Sequence, residues 1–461
     1  MTVIRTIAGE RFTPYTLALK LGAKVILESS SFHKGKERYS ILMIREAFRI
    51  IQEDDAIYME TDGNRKRVKS GAKDILSVMR YFADQHKAPA DDMPFPAGGI
   101  GFLSYEFSRY CDDIRFIPRE DPLGLPDALF MLGHVFAVFD HYTDLIHLIG
   151  VNYKEVSIDL EKALNEVESK LNDLNFNYLS QNGSSYVAEV LDDESVKTGF
   201  LKGVETVKDH IVKGNLLQGV LSRRMTVKTD MPAIEAYKNL RSFNPSPYMF
   251  YLELGGSTLF GASPEMHVRV KHGTGTIHPI AGTRRRGATR DEDLALEKEL
   301  LADEKERAEH LMLIDLARND LGRISVPGTV HVAGHMEIER YSHVMHIVSC
   351  VEGKTLPEAT GVEAIRATFP AGTVSGAPKI KAIEIIDSLE PHRRGFYAGL
   401  VGYMEPGGDL DTCITIRSAL KQGDRMYLQA GAGIVYDSQP EREYEETSEK
   451  LGALAKAIGL T

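Results

Sequence analysis

Two pairs of glutamates give this chain its clearest capacity for chemistry. Glu306 and Glu309 lie three residues apart, as do Glu443 and Glu446, and both segments read as helix. A spacing of three puts both carboxylates of a pair on one helical face. Four carboxylates from two converging helices form an all-oxygen site for a hard divalent cation, and magnesium is the first expectation. A plainer reading stands beside it, because acids at helix starts cap free N–H groups and complement the helix dipole. Asp303 with Glu306, and Ser438 with Glu441, resemble capping boxes, and Pro440 falls in the first turn of the second helix. Spacing alone favours capping or solvated glutamates over metal ligands.

The elements that must position these acids follow from hydrophobic periodicity. Before residue 180 the chain mixes short strand-like runs (VILESS, DAIYMET, LFMLGHVFAVFDH, LIHLIGV) with the amphipathic stretch DLEKALNEVESKL, whose Leu160, Leu164, Val167 and Leu171 share one face. SQNGSS, residues 180 to 185, has linker composition. It divides an N-terminal region, 1–180, from a second region, 186–461. In the second region helical patterns (SVKTGFLKGVETVKDHIVKG, the stretch from Glu304 to Asn319, ATGVEAIRATF, TSEKLGALAKAIG) alternate with strand patterns such as YMFYLELG, GTIHPIAG, DTCITIRSAL and RMYLQAGAGIVY. Short connections between strands imply antiparallel hairpins. The expected fold is α+β, with large antiparallel β-sheets forming a sandwich core and helices packed outside.

Composition narrows the function. A chain of 461 residues with a formal net charge of -11 and no basic cluster beyond Arg284, Arg285 and Arg286 does not present a nucleic-acid surface. The three cysteines are far apart and lack metal-ligand or nucleophile settings, as suits a reducing cytosol. The first residues lack a signal-peptide core, and the longest apolar run is broken by His134 and ends at Asp140. A cytoplasmic protein that does not span a membrane is expected.

Glycine-rich strand ends recur at PIAGT (279–283), FPAGTVSGAPK (369–379) and QAGAGI (429–434). Glycine lets backbone amides approach a ligand closely, and consecutive exposed amides bind anions. With Arg417, whose planar fork suits a carboxylate, they suggest a small polycarboxylate ligand beside a metal.

These residues stand in longer strings: HPIAGTRRRG, LLADEKERAEHLMLIDLARNDLGRI, RYSHVMHIVS, FPAGTVSGAPKIKAIEIID, DLDTCITIRSAL and QAGAGIVYDSQPEREYEET. Together with VILESS, RYSIL, GGIGFLSYE and PDALFM in the first half, they resemble the chorismate-utilising enzyme family, and within it the large subunits of anthranilate synthases. The resemblance implies a lyase that converts chorismate and ammonia to anthranilate and pyruvate with Mg2+, the first committed step of tryptophan biosynthesis. Glu309 and Glu446 match the family's metal ligands, and Glu306 and Glu443 are neighbours acting through water. Gly282, Thr283, Tyr397, Arg417, Gly431, Ala432 and Gly433 match substrate-binding positions. Glu265 matches the acid that protonates the departing hydroxyl, His346 the catalytic histidine, with His343 as rival, and Thr373 stands with the catalytic set. Leu27, Glu28, Ser29, Pro247, Tyr248 and Met249 match the pocket through which tryptophan inhibits.

Two positions bear on which reaction the family resemblance implies. Enzymes of the family that add water carry a lysine base where this chain has Gln218, and aminodeoxychorismate synthases commonly carry a lysine nucleophile where it has Ala281. Ammonia, already nucleophilic when neutral, then becomes the expected nucleophile. Its source is a separate glutamine amidotransferase subunit. Gly219 departs from the family's branched apolar residue and questions the local strand packing. The alternatives are amination without pyruvate loss, as in aminodeoxychorismate or aminodeoxyisochorismate synthases, and a tryptophan-sensing protein without catalysis.

Overall fold

A computed structural model describes residues 1–29, 38–69, 71–89, 92–119, 121–173, 186–341 and 344–460. The linker-like stretch 180–185 and His343 lie outside them. Among the described residues the strands form one hydrogen-bonded network, and its pairings are antiparallel. Helices pack against it from outside, so the α+β architecture with large antiparallel sheets is the one expected from the sequence.

The long apolar run is the strand Ala128–Asp140, buried along its whole length. It pairs with Tyr39–Glu53 on one side and with Leu145–Val151 and Ile100–Leu103 on the other. No described helix is long and apolar enough to cross a membrane. The Leu160–Asn172 helix buries the four aliphatic residues that define its stripe.

Two seams join the regions on either side of residues 180–185. Val25–Glu28 pairs with Tyr39–Glu53 and also with Tyr248–Glu253, where Glu28 faces Met249 and Leu27 faces Phe250. Ile100–Leu103 likewise bridges Ala128–Asp140 and Leu400–Met404. The sheet is therefore continuous across the composition boundary. A third tie is electrostatic. Asp74 is fully buried, caps the Ile75–Ala83 helix through Ser77 N, and receives Arg366 Nε at 3.0 Å and Nη2 at 2.7 Å.

Several elements differ from the sequence patterns. GTIHPIAG forms two strands, Thr274–Ile277 and Ile280–Arg285, because Pro279 has no N–H to donate. DTCITIRSAL is also interrupted, between Leu410–Ile414 and Ser418–Gln422, and Arg417 sits in the break with φ +51°. The Ala233–Phe243, Arg290–Ala302 and Lys379–Leu389 helices are not evident as patterns. Gly219 is explained by packing, since a Cβ there would lie 3.1 Å from Val207 Cγ1 on the Glu194–Val212 helix.

Replacing Asp74 with Ala removes the buried partner of Arg366, leaving it Glu363 and the Ser77 hydroxyl, and removes the helix cap. The expected loss is about 3 kcal/mol of unfolding free energy, read by urea denaturation. An unchanged midpoint would show that the tie carries no stability.

Candidate active site

The Glu304–Gly322 helix brings Glu306 and Glu309 to the site, and the Pro440–Ala457 helix brings Glu443 and Glu446. Asp303 caps the first helix, accepting from Lys305 N and Glu306 N. Glu306 does not reach back to complete a box. It is drawn instead to Arg284 Nη1 at 3.1 Å. The second helix departs further from expectation, because Gln439 is its N-cap and makes no side-chain cap bond, while Ser438 Oγ accepts from Val435 N. The Ser438–Glu441 capping box does not form. Pro440 opens that helix as expected.

The four carboxylates differ in their partners. Glu306 is held by Arg284, and Glu446 by Lys450 at 2.7 Å. Glu309 and Glu443 form no ion pair with any described residue, although the amide of Gln218 lies 3.4 Å from Glu309 Oε1. Burial raises the pKa of Glu309, and Glu306 and Glu446 push it up further. Burial likewise raises Glu443, with Glu446 adding to it against a hydrogen bond from Ser438. The influence of Glu446 on Glu309 ties the two helices' acids electrostatically. No three acidic, histidine or cysteine side chains among the described residues are close enough to make a closed metal cage. The donor chemistry nevertheless fits a hard divalent cation. The ligands would be carboxylate oxygens, and two of these acids lack a cation while repelling their neighbours.

Glu265 lies in the turn between Ser257–Ser263 and Met266–Lys271. Burial pushes its carboxyl up to about 7, with the Thr373 hydroxyl and the charge of Lys450 opposing the shift. Thr373 Oγ1 itself is buried and outside hydrogen-bonding geometry with any described residue. It is close enough to influence Glu265 without closing a bond, which leaves a polar atom for a ligand.

His346, on Val344–Lys354, faces Thr283 across the strand pair. Its Nδ1 lies 2.9 Å from the Gly282 carbonyl and 3.1 Å from Thr283 Oγ1. A carbonyl only accepts, so Nδ1 carries the proton of the neutral ring and Nε2 keeps its lone pair. Burial lowers the imidazole to about 4, Arg417 and Lys450 lower it further, and the Gly282 bond opposes them. The ring is therefore neutral near pH 7. Gly282 turns through φ +67°, and a Cβ there would approach Glu306 Oε2 to 3.2 Å.

Arg417 and Lys450 supply the positive charge. Arg417 donates through Nη1 to the Lys450 carbonyl at 2.9 Å and forms no salt bridge with a described residue. Burial lowers its pKa, opposed by Tyr397 and Glu446. An arginine keeps its charge regardless, so the unpaired fork suits a carboxylate on a ligand. Lys450 bonds the Gly431 carbonyl at 2.9 Å in addition to Glu446. Tyr397, pushed up to about 12 chiefly by burial, approaches the same glycine: a Cβ on Gly431 would lie 2.9 Å from its hydroxyl. A Cβ on Gly433 would lie 2.5 Å from Gln218 Nε2. Ala432, between them, is fully buried and lies in the hydrophobic cluster behind the strand.

The structure thus brings together Glu265, Thr373, Gly282, Thr283, His346, Tyr397, Arg417, Gly431, Gly433 and the glutamates. Lys450 and Arg284 belong to the same set and were not singled out in the sequence. The signal for Lys450 was its position four residues after Glu446, a spacing that also describes an ordinary surface pair. Leu27, Glu28, Ser29, Pro247, Tyr248 and Met249 lie elsewhere, around a cavity of about 520 Å³. Its wall contains Ser29, whose hydroxyl is buried without a partner among the described residues. The carboxylate of Glu28 is held by Tyr237 Oη at 2.7 Å and by Arg241 Nε and Nη2, each at 3.0 Å.

The chain as a whole belongs to a known class. Residues 32–456 match the chorismate binding enzyme family, and the chain belongs to it. Among its relatives, component 1 of anthranilate synthase from Spirochaeta aurantia is 63% identical over 461 residues, 100% of this chain and 96% of that one. The crystal structure of anthranilate synthase component I from Streptococcus pneumoniae TIGR4 is 38% identical, with a TM-score of 0.82 over 98% of this chain and 99% of its own. The menaquinone-specific isochorismate synthase of Escherichia coli has a TM-score of 0.74 over 99% of this chain and 95% of its own, but at 20% identity it shares the fold alone.

Glu265 gives a test independent of any reaction. Its folded pKa of about 7 lies above the ordinary value of 4.5. Its contribution to stability is therefore full below pH 4.5 and is lost as pH rises through 7. Glu265→Gln escapes that loss. Between the two ends of this window the variant should gain about 3 kcal/mol relative to the parent, measured by urea denaturation at each pH. A pH-independent difference would remove the basis for treating Glu265 as a retained acid.

Proposed function

We propose that this chain is the synthase subunit of an anthranilate synthase, converting chorismate and ammonia to anthranilate and pyruvate. The observation that carries the reading is the pairing of an acid that burial raises to about 7, Glu265, with a neutral histidine, His346, beside the unpaired fork of Arg417. Acid and base with pKa values driven apart by their surroundings are what a stepwise addition and elimination needs. The relatives named component 1 support the same choice.

In this reading Arg417, Lys450 and the amides around Gly431 and Gly433 orient the two carboxylates of chorismate, and Tyr397 and Thr283 line the same site. Ammonia forms a bond to ring C2 while the C4–O bond breaks. Glu265 gives its proton to that oxygen, which leaves as water. Nε2 of His346 then accepts a ring proton as the bond between the ring and the enolpyruvyl oxygen breaks, leaving an aromatic ring, and the enolpyruvate released takes up a proton at its methylene carbon to become pyruvate. Thr373 orients the group beside Glu265. Glu309 and Glu446 would hold Mg2+, with Glu306 and Glu443 beside them. When bound, it would neutralise the ring carboxylate and these acids together. Gln218 in place of a lysine base disfavours activation of water, and Ala281 offers no amine, so free ammonia is the nucleophile.

The ammonia comes from a glutamine amidotransferase partner. Burial pushes Cys111 up to about 12 and raises Cys413 well above its ordinary value, so neither is an activated thiol. The Cys350 thiol donates to Glu352 Oε1 at 3.7 Å. The 520 Å³ cavity is the site at which tryptophan inhibits, which makes the enzyme a feedback-controlled lyase of the cytoplasm.

Incubation with chorismate, magnesium chloride and an ammonium salt at mildly alkaline pH should give anthranilate fluorescence and an equal amount of pyruvate. An aminated product without pyruvate would point to an aminodeoxychorismate-type enzyme, and tryptophan binding without turnover to a sensor. Glu309→Gln should abolish magnesium-dependent binding of chorismate, followed by calorimetry, while tryptophan still binds. Normal binding of both ligands would remove Glu309 from the metal site.

A further inference from the structure

The cavity extends beyond the six residues of the tryptophan pocket. Ile280, Glu339, Tyr341 and Val348 also line it: Ile280, Glu339 and Val348 stand on the strands around His346, and Tyr341 directly follows the His331–Arg340 strand. Tyr341 touches both spaces. It lines the cavity, and its ring meets the His346 ring edge-on, with centroids 5.4 Å apart and planes at 65°.

The backbone of Tyr341 is fixed. Its N–H donates to the Val344 carbonyl at 2.8 Å, and its carbonyl accepts from Arg286 Nη1 at 2.8 Å. Arg286 is itself locked to Asp293. Its ring is held more lightly, by one hydroxyl bond to Glu339 Oε2 at 2.9 Å and by the edge contact with His346. Glu339 is also the cross-strand partner of His346. With the backbone anchored, a shift of the Tyr341 ring would come by rotation of its side chain, and the imidazole is a ring it already meets. The imidazole is oriented through Nδ1, which meets the Gly282 carbonyl and Thr283 Oγ1 and leaves Nε2 free of both.

We propose that Tyr341 is the positioning residue through which an occupant of the cavity reaches His346. The inference rests on the reading of the cavity as a tryptophan site. It requires no movement of the sheet, because a packed side chain with two alternative contacts is enough to couple neighbouring sites.

Calorimetry gives the dissociation constant of tryptophan, and turnover of chorismate with ammonia gives the concentration that halves activity. The ratio of the two separates coupling from affinity. In Tyr341→Ala that ratio should rise about tenfold or more, within the usual range for allosteric coupling, and kcat should fall while KM for chorismate changes by less than about threefold. Tyr341→Phe keeps the ring and loses only the bond to Glu339, so it should remain as sensitive to tryptophan as the parent. An unchanged ratio in Tyr341→Ala overturns the proposal, and equal insensitivity of Tyr341→Phe overturns the ring as the contact. A parent protein that binds no tryptophan fails on the cavity reading itself, a result the calorimetry of the parent alone reveals.

Discussion

Arg394 lies wholly within the protein, with its guanidinium closed on Glu390 through Nε at 2.8 Å and Nη2 at 2.7 Å. Its remaining donors reach the Val374 carbonyl and the Val220 carbonyl, each at 2.7 Å. Val374 follows Thr373, and Val220 lies two residues after Gln218. Glu390 in turn accepts from the amide and hydroxyl of Ser222, which pairs across the sheet with Gly431. Tyr105 packs on the guanidinium at 4.4 Å and Tyr397 at 5.6 Å. One buried fork thus holds the Thr373 turn, the Gln218 strand and the glycine strand at fixed separations. Burying such a pair costs several kcal/mol of solvation per ion, and fixed geometry is the return on that cost.

Around this pin the site is arranged by charge. Arg284 and Lys450 neutralise one acid from each helix, while Glu309 and Glu443 keep theirs uncompensated. Arg417 has the opposite condition, a cation without an anion. The proposed binding of an anionic substrate and a divalent cation needs this alternation, because a site already neutralised internally would have nothing to offer either ligand.

The acids, the glycine turns, Arg417, Glu265 and His346 could be read in the sequence because each stands in a long contiguous string. Lys450 and Arg284 could not, since helical pairing and a surface arginine run describe them equally well. Tyr341 was invisible for another reason: its neighbours come from the cavity wall and from a strand register that skips residues at Gly334 and Glu337. The α+β architecture followed from short hairpins and amphipathic stretches. The breaks at Pro279 and Arg417 were masked by apolar periodicity that continues through them. The false capping box at Ser438 shows the limit of motif reading, because the hydroxyl found a nearer amide at Val435.

The strand Val25–Glu28 lies between partners from both sides of the composition boundary. Glu28 meets Arg241 across 213 residues of chain, and Asp74 meets Arg366 across 292. Contacts this distant delay folding, because the entropy of closing the intervening loops precedes any gain from pairing. During synthesis the first strands emerge long before their second neighbour exists, with one edge open for minutes or less at usual elongation rates. Until the ribosome has released the Tyr248–Glu253 strand, Val25–Glu28 lacks one of its two partners, and that open strand edge is where a chaperone or an unwanted second chain would bind first.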